Sequence, residues 1–463
     1  MRRGTSLLAA LTVCALGGCS FIAVEPSGGK PFLSYTLGLM DSGLQVVHVG
    51  AAVIGSSSKT VLLRSVSDAS GKRCEPIDLR AVDRVGRRLA VRARDGAWIV
   101  SSGGKDFSFS YDVALATDHR SAADVRDLIT FVDTDRCRIL GRDVFVVPEL
   151  PIADGIIIDV DAVPGWKLCS SAPSVRSRII VPALDELPVT LAVSGGYRYC
   201  ARNNGSFELL LAIAGTWSFA DEEFFDVVRR IVSEEIALFG ASPRSRYLFV
   251  CDTNPIRGSE RFDYYGIHYG GSMLLLLDRK LDRSELMDSP MAIVAHEFFH
   301  TWNGEALGPA EDGFLWFTEG VTSFYSYRIL ERANVITDEQ YANRRKTIYE
   351  RYRANPYTPT VAIGEAANSD MRDKHMVNLL YDGGFLAAEA LDARLREETD
   401  GRVSLIDVLK RMYEDADGRG TADEALFLRA ATELSGRDLS GTVRLLVHTP
   451  NPELLAPRSS FLE

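Results

Sequence analysis

Two histidines and a glutamate between Ala292 and Asn303 have the spacing of a catalytic metal site. His296 and His300 are four residues apart, so on a helix they lie on the same face and both imidazoles can bind one ion. Glu297 lies beside them and can act as a base toward a metal-bound water. Imidazole ligands of this kind favour a single Zn²⁺ ion.

A catalytic zinc site has three protein ligands and one open position, so the pattern requires a third ligand. Glu319 is the candidate. Eighteen residues separate it from His300, which is room for a loop over 304–313 and the first turn of a second helix. Ser289 and Pro290 predict the start of the first helix, and the second is expected to begin just after the loop.

The two segments together resemble a known family. His296-Glu-Phe-Phe-His-Thr-Trp-Asn303, followed by Trp316-Phe-Thr-Glu-Gly320, is similar to the glycyl aminopeptidase family of gluzincin metallopeptidases, which are relatives of aminopeptidase N. This resemblance implies a thermolysin-like catalytic domain that hydrolyses peptide bonds, with Glu297 activating a zinc-bound water. It also implies that the substrate is a peptide.

The resemblance extends to a tyrosine beyond the metal motif. Tyr381-Asp-Gly-Gly384 resembles the family pattern Tyr-x-Lys-Gly at the start of a helix, although Gly383 stands where the family has lysine. The resemblance implies that Tyr381 stabilises the oxyanion of the reaction. The alternative is a tyrosine that only packs in the core.

A second departure concerns the amino end of the substrate. In the family, a glutamate in a glycine-rich segment binds the free ammonium group, and here His268 occupies that place beside Gly270 and Gly271. These three residues are the candidate substrate-binding group. A neutral imidazole cannot supply the charge-assisted bond of a carboxylate, so strict amino-terminal specificity is in doubt. Glu260 or Glu305 could substitute.

Two further points stay open at the level of sequence. The apolar run Ser272–Leu277 is either an edge strand that pairs with an extended substrate or a buried central strand. Ser323 and Thr322 follow Glu319 and could orient the metal-binding histidines. Both hydroxyls could equally bond to their own helix backbone.

The expected fold class is α+β: an N-terminal antiparallel β domain, the catalytic domain and a C-terminal helical region. Period-two alternation, as in Phe107–Val113, indicates half-buried strands. Strands are predicted at Gln45–Ile54, Val61–Ser65, Ala97–Ser101, Asp106–Ala116, Asp143–Val147, Ile156–Val160, Ile179–Val181, Phe207–Ala214 and Tyr247–Cys251. Helices beyond the metal motif are predicted at Asp338–Arg353, Asn378–Glu398, Ser404–Asp415 and Ala422–Leu434.

The amino terminus has the pattern of an export signal. Arg2 and Arg3 precede the apolar stretch Leu7–Leu16, and Cys19 stands where bacterial lipoproteins are cleaved and lipidated. We expect an anchor at the outer membrane of a bacterial envelope, facing the periplasm; an ordinary secretory signal is the alternative. The expected divisions are a signal peptide (1–18), a tether (19–31), the β domain (32–217), the catalytic domain (218–400) and the helical region (401–463).

Charge and cysteine content limit the partners. The formal net charge is −11 and no basic cluster interrupts it, so nucleic-acid binding is not expected. A PDZ domain, which many members of the family carry at the C-terminus, is not expected before Glu463. Cysteine pairs Cys74 with Cys137 and Cys169 with Cys200 are possible, with Cys251 as a buried thiol, but the sequence does not determine connectivity.

Three functions follow from these patterns. The first is a zinc metallopeptidase that removes residues from the amino end of peptides. The second keeps the zinc chemistry but cleaves without requiring a free amino terminus, because the ammonium-binding glutamate is not evident. The third is a non-catalytic envelope scaffold with a peptidase fold, which would have no physical need for Glu297 beside the metal ligands.

Overall fold

The computed structural model describes residues 29–39, 46–65, 74–115, 129–254, 264–311, 313–368, 373–416 and 421–450. The predicted signal peptide, Cys19 and Glu260 lie outside these residues. The described residues up to Arg198 form one compact unit, and those from Tyr199 onward form a second. The predicted boundary between the β domain and the catalytic domain follows Trp217. No helix among the described residues has the length and apolarity needed to cross a bilayer.

The first unit consists mainly of strands, in a seven-stranded sheet of order β13-β14-β11-β1-β2-β7-β4 and two four-stranded sheets of orders β10-β3-β6-β5 and β12-β15-β9-β8. The elements are β1 (Phe32–Gly38), β2 (Val46–Ile54), β3 (Val61–Ser65), β4 (Pro76–Asp83), β5 (Val91–Arg94), β6 (Ala97–Val100), β7 (Phe107–Ala114), β8 (Phe131–Val132), β9 (Arg136–Leu140), α1 (Gly141–Val144), β10 (Val146–Pro148), β11 (Ile156–Asp161), β12 (Leu168–Ser170), β13 (Ser174–Val175), β14 (Arg178–Val181) and β15 (Leu191–Gly195).

The alternation in β7 produces the expected buried face. Phe107, Phe109, Tyr111 and Val113 all point into the core of the first unit. The Tyr111 hydroxyl donates to the carbonyl of Val144 and accepts from the N–H of Val146, both at 2.8 Å. The buried hydroxyl is thereby satisfied, which a buried polar group requires.

The strand predicted at Asp143–Val147 is wrong in its first half. Residues Gly141–Val144 form one helical turn, α1, and the strand begins only at Val146. The cause is a close tertiary contact, because a Cβ at Gly141 would lie 1.9 Å from the carbonyl oxygen of Leu187. Local pattern cannot report such a contact between distant segments.

The cysteine pairing of Cys74 with Cys137 is not formed. Both residues are buried free thiols, and burial raises the pKa of each to about 12. Cys251 is buried in the second unit, as expected. The pairing of Cys169 with Cys200 stays a prediction.

The second unit contains a five-stranded sheet of order β16-β17-β18-β20-β19 and ten helices of the described chain. Its elements are β16 (Arg198–Asn204), β17 (Phe207–Ile213), α2 (Asp221–Phe239), β18 (Arg246–Thr253), β19 (Tyr264–Tyr269), β20 (Ser272–Leu277), α3 (Arg283–Met287), α4 (Ser289–Phe299), α5 (Leu315–Arg332), α6 (Asp338–Ala354), α7 (Ile363–Ala366), α8 (Lys374–Glu398), α9 (Leu405–Asp415), α10 (Glu424–Ser435) and α11 (Ser440–Val447). With the β-rich first unit, this confirms the α+β class.

The apolar run Ser272–Leu277 is a central strand, which decides between the two interpretations of its sequence. It pairs in parallel with β18 on one side and antiparallel with β19 on the other, and all six residues are buried. The edge strand is therefore β19. Tyr269 and Ser272 close the two-residue turn between the strands, so the N–H groups of His268 and Gly266 point away from β20 toward the open edge.

Glu235 in α2 is a buried acid that is not one of the predicted metal ligands. Its side chain is 0% exposed, and neither carboxylate oxygen has a hydrogen-bond partner among the described residues. Burial raises its pKa well above the usual value. The acid is thus stable in the fold only when it is protonated.

We predict that Glu235→Gln stabilises the protein increasingly as the pH rises. Because the folded pKa is raised, the contribution of Glu235 to wild-type stability is greatest below the unfolded pKa of about 4.3 and falls as the pH rises toward the folded pKa, by about 1.4 kcal/mol per pKa unit. Urea unfolding between pH 4 and 8 measures the difference. Glu234→Gln, at a partly exposed neighbour paired with Arg332, is the matched control. A difference between Glu235→Gln and wild type that stays constant with pH would contradict this assignment.

Candidate metal centre and peptide site

His296, His300 and Glu319 converge on one point in the second unit. The Nε2 atom of His296 lies 3.0 Å from Nε2 of His300 and 3.1 Å from Oε2 of Glu319. The same oxygen lies 3.6 Å from Nε2 of His300. The side chains are 13 to 15% exposed, so the group is shielded but reachable. Glu319 therefore lies with the two histidines, and a metal ion could be held by these three atoms.

The end of α4 and the following turn orient His300. The helix ends at Phe299, and Thr301–Ala306 form an irregular helical turn in which Gly304 has φ 145°, a conformation suited to glycine. The Nδ1–H of His300 donates to the carbonyl oxygen of Asn303 at 3.0 Å. This bond assigns a proton to Nδ1 and turns Nε2 toward Glu319.

Asn303 fixes the second helix against the first, a role that the sequence analysis missed. Its fully buried Nδ2 donates to the carbonyl of Thr318 at 3.1 Å and to Oγ1 of Thr322 at 3.0 Å, with a longer contact to the carbonyl of Phe317. These bonds hold the start of α5, and with it Glu319, beside the end of α4. The sequence shows an asparagine shortly after the histidine motif, but its role depends on partners in α5 that the sequence does not identify.

Ser323 is the hydroxyl that reaches a histidine. Its Oγ lies 3.4 Å from Nδ1 of His296, one helical turn after Glu319. Thr322 instead accepts the bond from Asn303. The two open candidates therefore have different roles, and both histidines have an oxygen partner at Nδ1.

Tyr381 lies against this group from α8. The centroid of its ring is 5.9 Å from that of the His296 ring. Burial, and then the charge of Glu319, raise the pKa of Tyr381 well above its usual value. The phenol thus stays protonated and can donate a hydrogen bond. Gly383, at the position of the family lysine, packs beneath Ile363.

Glu297 lies between the histidines and the edge strand. Burial raises the pKa of its carboxyl group, while the charges of His296 and His300 oppose that shift. The backbone N–H of His268 also opposes the rise in the pKa of Glu297. This arrangement shifts the acid toward the range in which a general base works at neutral pH.

His268 is part of a polar network on the edge strand. Its Nδ1 lies 2.8 Å from the Tyr247 hydroxyl, and its Nε2 lies 3.2 Å from Oε2 of Glu305, which also forms an ion pair with Arg244. Burial lowers the pKa of His268 to about 3. Arg244 and Tyr247 were not identified from sequence.

The other predicted substrate-binding residues, Gly270 and Gly271, form the turn between β19 and β20. Arg244 packs against this turn, since a Cβ at Gly271 would lie 3.2 Å from its Cδ. A direct role for the two glycines in substrate binding stays a prediction.

Comparison with known proteins agrees with this site. The M61 glycyl aminopeptidase family matches residues 289–382, the segment that contains the histidines, Glu319 and Tyr381. This match confirms the resemblance found in the sequence. No curated protein matches the chain.

Solved structures confirm the fold. An aminopeptidase N family protein from Idiomarina loihiensis is similar at 16% identity, with a TM-score of 0.75 over 91% of this chain and 76% of that one. A mutant of M1 zinc metallopeptidase from Deinococcus radiodurans is similar at 12% identity, with a TM-score of 0.57 over 93% and 97%. At these identities the neighbours show the fold, and the family match supports a peptidase.

We predict that Ser323→Ala weakens zinc affinity by about tenfold, because the His296 ring loses the oxygen that orients it. Competition with a chelating dye measures the affinity. Ser326→Ala is the matched control on the same helix, since its hydroxyl donates to the carbonyl of Thr322. Equal zinc affinity in the two variants would show that Ser323 does not orient the ligand.

Proposed function

We propose that the protein is a zinc-dependent metallopeptidase that hydrolyses peptide bonds. The observation that carries this proposal is the convergence of His296, His300 and Glu319, with Glu297 and Tyr381 beside them. A scaffold has no physical need for a buried acid and a buried phenol at a metal-binding point. The family match over the same residues supports the peptide as substrate.

The donor set fits zinc. Two imidazoles and one carboxylate are the ligand types of catalytic zinc sites, and oxygen partners at both Nδ1 atoms turn both Nε2 atoms toward Glu319, where a metal ion could bind them. When bound, zinc supplies Lewis acidity, which polarises a carbonyl and acidifies water. We propose one Zn²⁺ ion held by His296, His300 and Glu319.

The protein's own groups then have separate tasks. Glu297 takes a proton from the attacking water and later gives it to the leaving amine. Tyr381, kept protonated by burial, donates a hydrogen bond to the oxygen that becomes negative as the carbonyl is attacked. The two groups flank the metal ligands, so the water and the carbonyl would meet between them.

The edge strand β19 offers a place for the peptide backbone. The N–H of His268 points to the open edge, and the carbonyl groups of alternate residues share that direction. An extended peptide can add to such an edge through main-chain hydrogen bonds. Aminopeptidase activity is the first candidate, by the family match; cleavage without a free amino terminus is the second, favoured by His268 at the ammonium position.

The envelope location is proposed from sequence alone. We expect Cys19→Ser, expressed in a bacterium with an outer membrane, to move from the membrane fraction to the soluble periplasmic fraction, because a lipidated cysteine is the anchor. Immunoblots of separated fractions measure this. Unchanged fractionation would reject the lipid anchor.

We predict that Glu297→Gln keeps its zinc but loses hydrolysis by about a hundred- to ten-thousand-fold, since the amide cannot accept a proton. Zinc content by atomic absorption and peptide cleavage by chromatography are the two measurements. In wild type, chelation should abolish cleavage and added zinc should restore it. Wild-type turnover in Glu297→Gln would reject the mechanism.

We predict that Tyr381→Phe lowers kcat by about a hundred- to a thousand-fold with little change in KM, because the lost hydrogen bond forms mainly in the transition state. Steady-state kinetics with one peptide measure both constants. Tyr357→Phe is the control, since that hydroxyl donates to Asp373 on the surface. A change in KM alone would indicate a binding role for Tyr381.

A further inference from the structure

Glu305 is a carboxylate beside the metal-binding group whose charge is compensated. It lies in the turn after His300, and its N–H donates to the His300 carbonyl at 2.9 Å. One carboxylate oxygen forms an ion pair with Arg244, and the other lies 3.2 Å from Nε2 of His268. The side chains of Glu305 and Arg244 are each about one quarter exposed, so ligands can reach them.

The hydrogen bonds fix the charges of this network. A carboxylate only accepts, so Nε2 of His268 carries the proton that it donates to Glu305. Nδ1 then accepts from the Tyr247 hydroxyl at 2.8 Å, which is the neutral tautomer. One negative charge on Glu305 and one positive charge on Arg244 remain, and their sum is zero.

The network lies where the amino side of a substrate would be. A peptide that pairs antiparallel with β19 begins at the His268 end of the strand and continues toward Tyr264. Gly266, nearer the Tyr264 end, lies beside Glu297, since a Cβ there would be 3.5 Å from its Cγ, while His268 contacts Glu305. The group on the amino side of the cleaved bond would thus lie beside Glu305 and Arg244.

A free ammonium gains little from a carboxylate that already has a cationic partner. The attraction of Glu305 for a new positive charge is opposed by repulsion from Arg244, which is paired with Glu305. Arg244 is also held in place, because its stem packs against the turn at Gly271 and its head pairs with Glu305. An acylated nitrogen carries no charge and meets no such repulsion.

We propose that Arg244 determines the substrate class of this site: by neutralising Glu305 it makes the site accept peptides whose amino side is acylated, that is, internal bonds or blocked amino termini. This inference rests on the proposed peptidase function. Arg244 is a specificity-determining residue and takes no part in the chemical step.

The test uses one pentapeptide amide in two forms, with a free and with an N-acetylated amino terminus. Zinc-loaded wild type should hydrolyse the two forms with similar kcat/KM. In Arg244→Gln the uncompensated Glu305 should attract the ammonium, and the ratio of kcat/KM should move about tenfold toward the free form. Wild type that cleaves only the free form, or an unchanged ratio in Arg244→Gln, overturns the proposal.

Two variants separate this effect from general damage. Arg244→Lys keeps the positive charge and should keep the wild-type ratio. Arg246→Gln removes an arginine two residues away that pairs with Glu208 on the neighbouring strand, and it too should keep that ratio. A tenfold shift in Arg246→Gln would mean that the preference follows total charge and not the Arg244–Glu305 pair, and would also overturn the proposal.

A binding measurement distinguishes this inference from the peptidase proposal itself. In zinc-loaded Glu297→Gln, calorimetry gives Kd for both peptides with and without Arg244→Gln. The Kd ratio should shift toward the free form when Arg244 is replaced. If it shifts while wild type cleaves neither peptide, the peptidase function fails and the specificity role stands; if it does not shift, the specificity role fails whatever the turnover.

Discussion

The contact between Gly320 and Gly384 is the constraint on which the site depends. A Cβ at Gly320 would lie 2.4 Å from the Cα of Gly384, so α5 and α8 touch backbone to backbone. Glu319 directly precedes one glycine, and Tyr381 lies one turn before the other. Any side chain at this crossing would have to push the helices apart, because protein interiors have no free volume to absorb it. Glu319 and Tyr381 can therefore approach each other only because both positions at the crossing, 320 and 384, are glycine.

The group of His296, His300 and Glu319 could largely be predicted from the sequence because these residues are close together along the chain. Histidines four residues apart on a helix share a face in any fold, and the second helix followed after a short loop. Helix positions such as α6 and α9 were also predicted within a few residues, since amphipathic periodicity is local. Ser323 and Thr322 were both candidates for the same reason, and their contacts in the structure distinguish them.

What sequence could not supply was the partner of each polar group and the order of strands. Whether Ser272–Leu277 is an edge depends on β19 pairing with it, and nothing inside the run records that. Asn303 binds α5 from another segment, and Arg244 reaches Glu305 across 60 residues. The strand predicted at Asp143–Val147 was wrong in its first half because the contact of Gly141 with Leu187 also joins segments that are far apart in the sequence. Tertiary contacts of this kind override local preference.

The irregular turn Thr301–Ala306 has a consequence for how this protein can diverge. It carries the carbonyl that orients His300, the amide of Asn303 that docks α5, and the carboxylate of Glu305 that faces the peptide edge. Six consecutive residues thus hold a histidine of the proposed metal site, the start of α5 and the carboxylate of the proposed specificity pair. An insertion or deletion here would disturb all three at once, so new specificities can arise by substitution within the turn but not by changing its length.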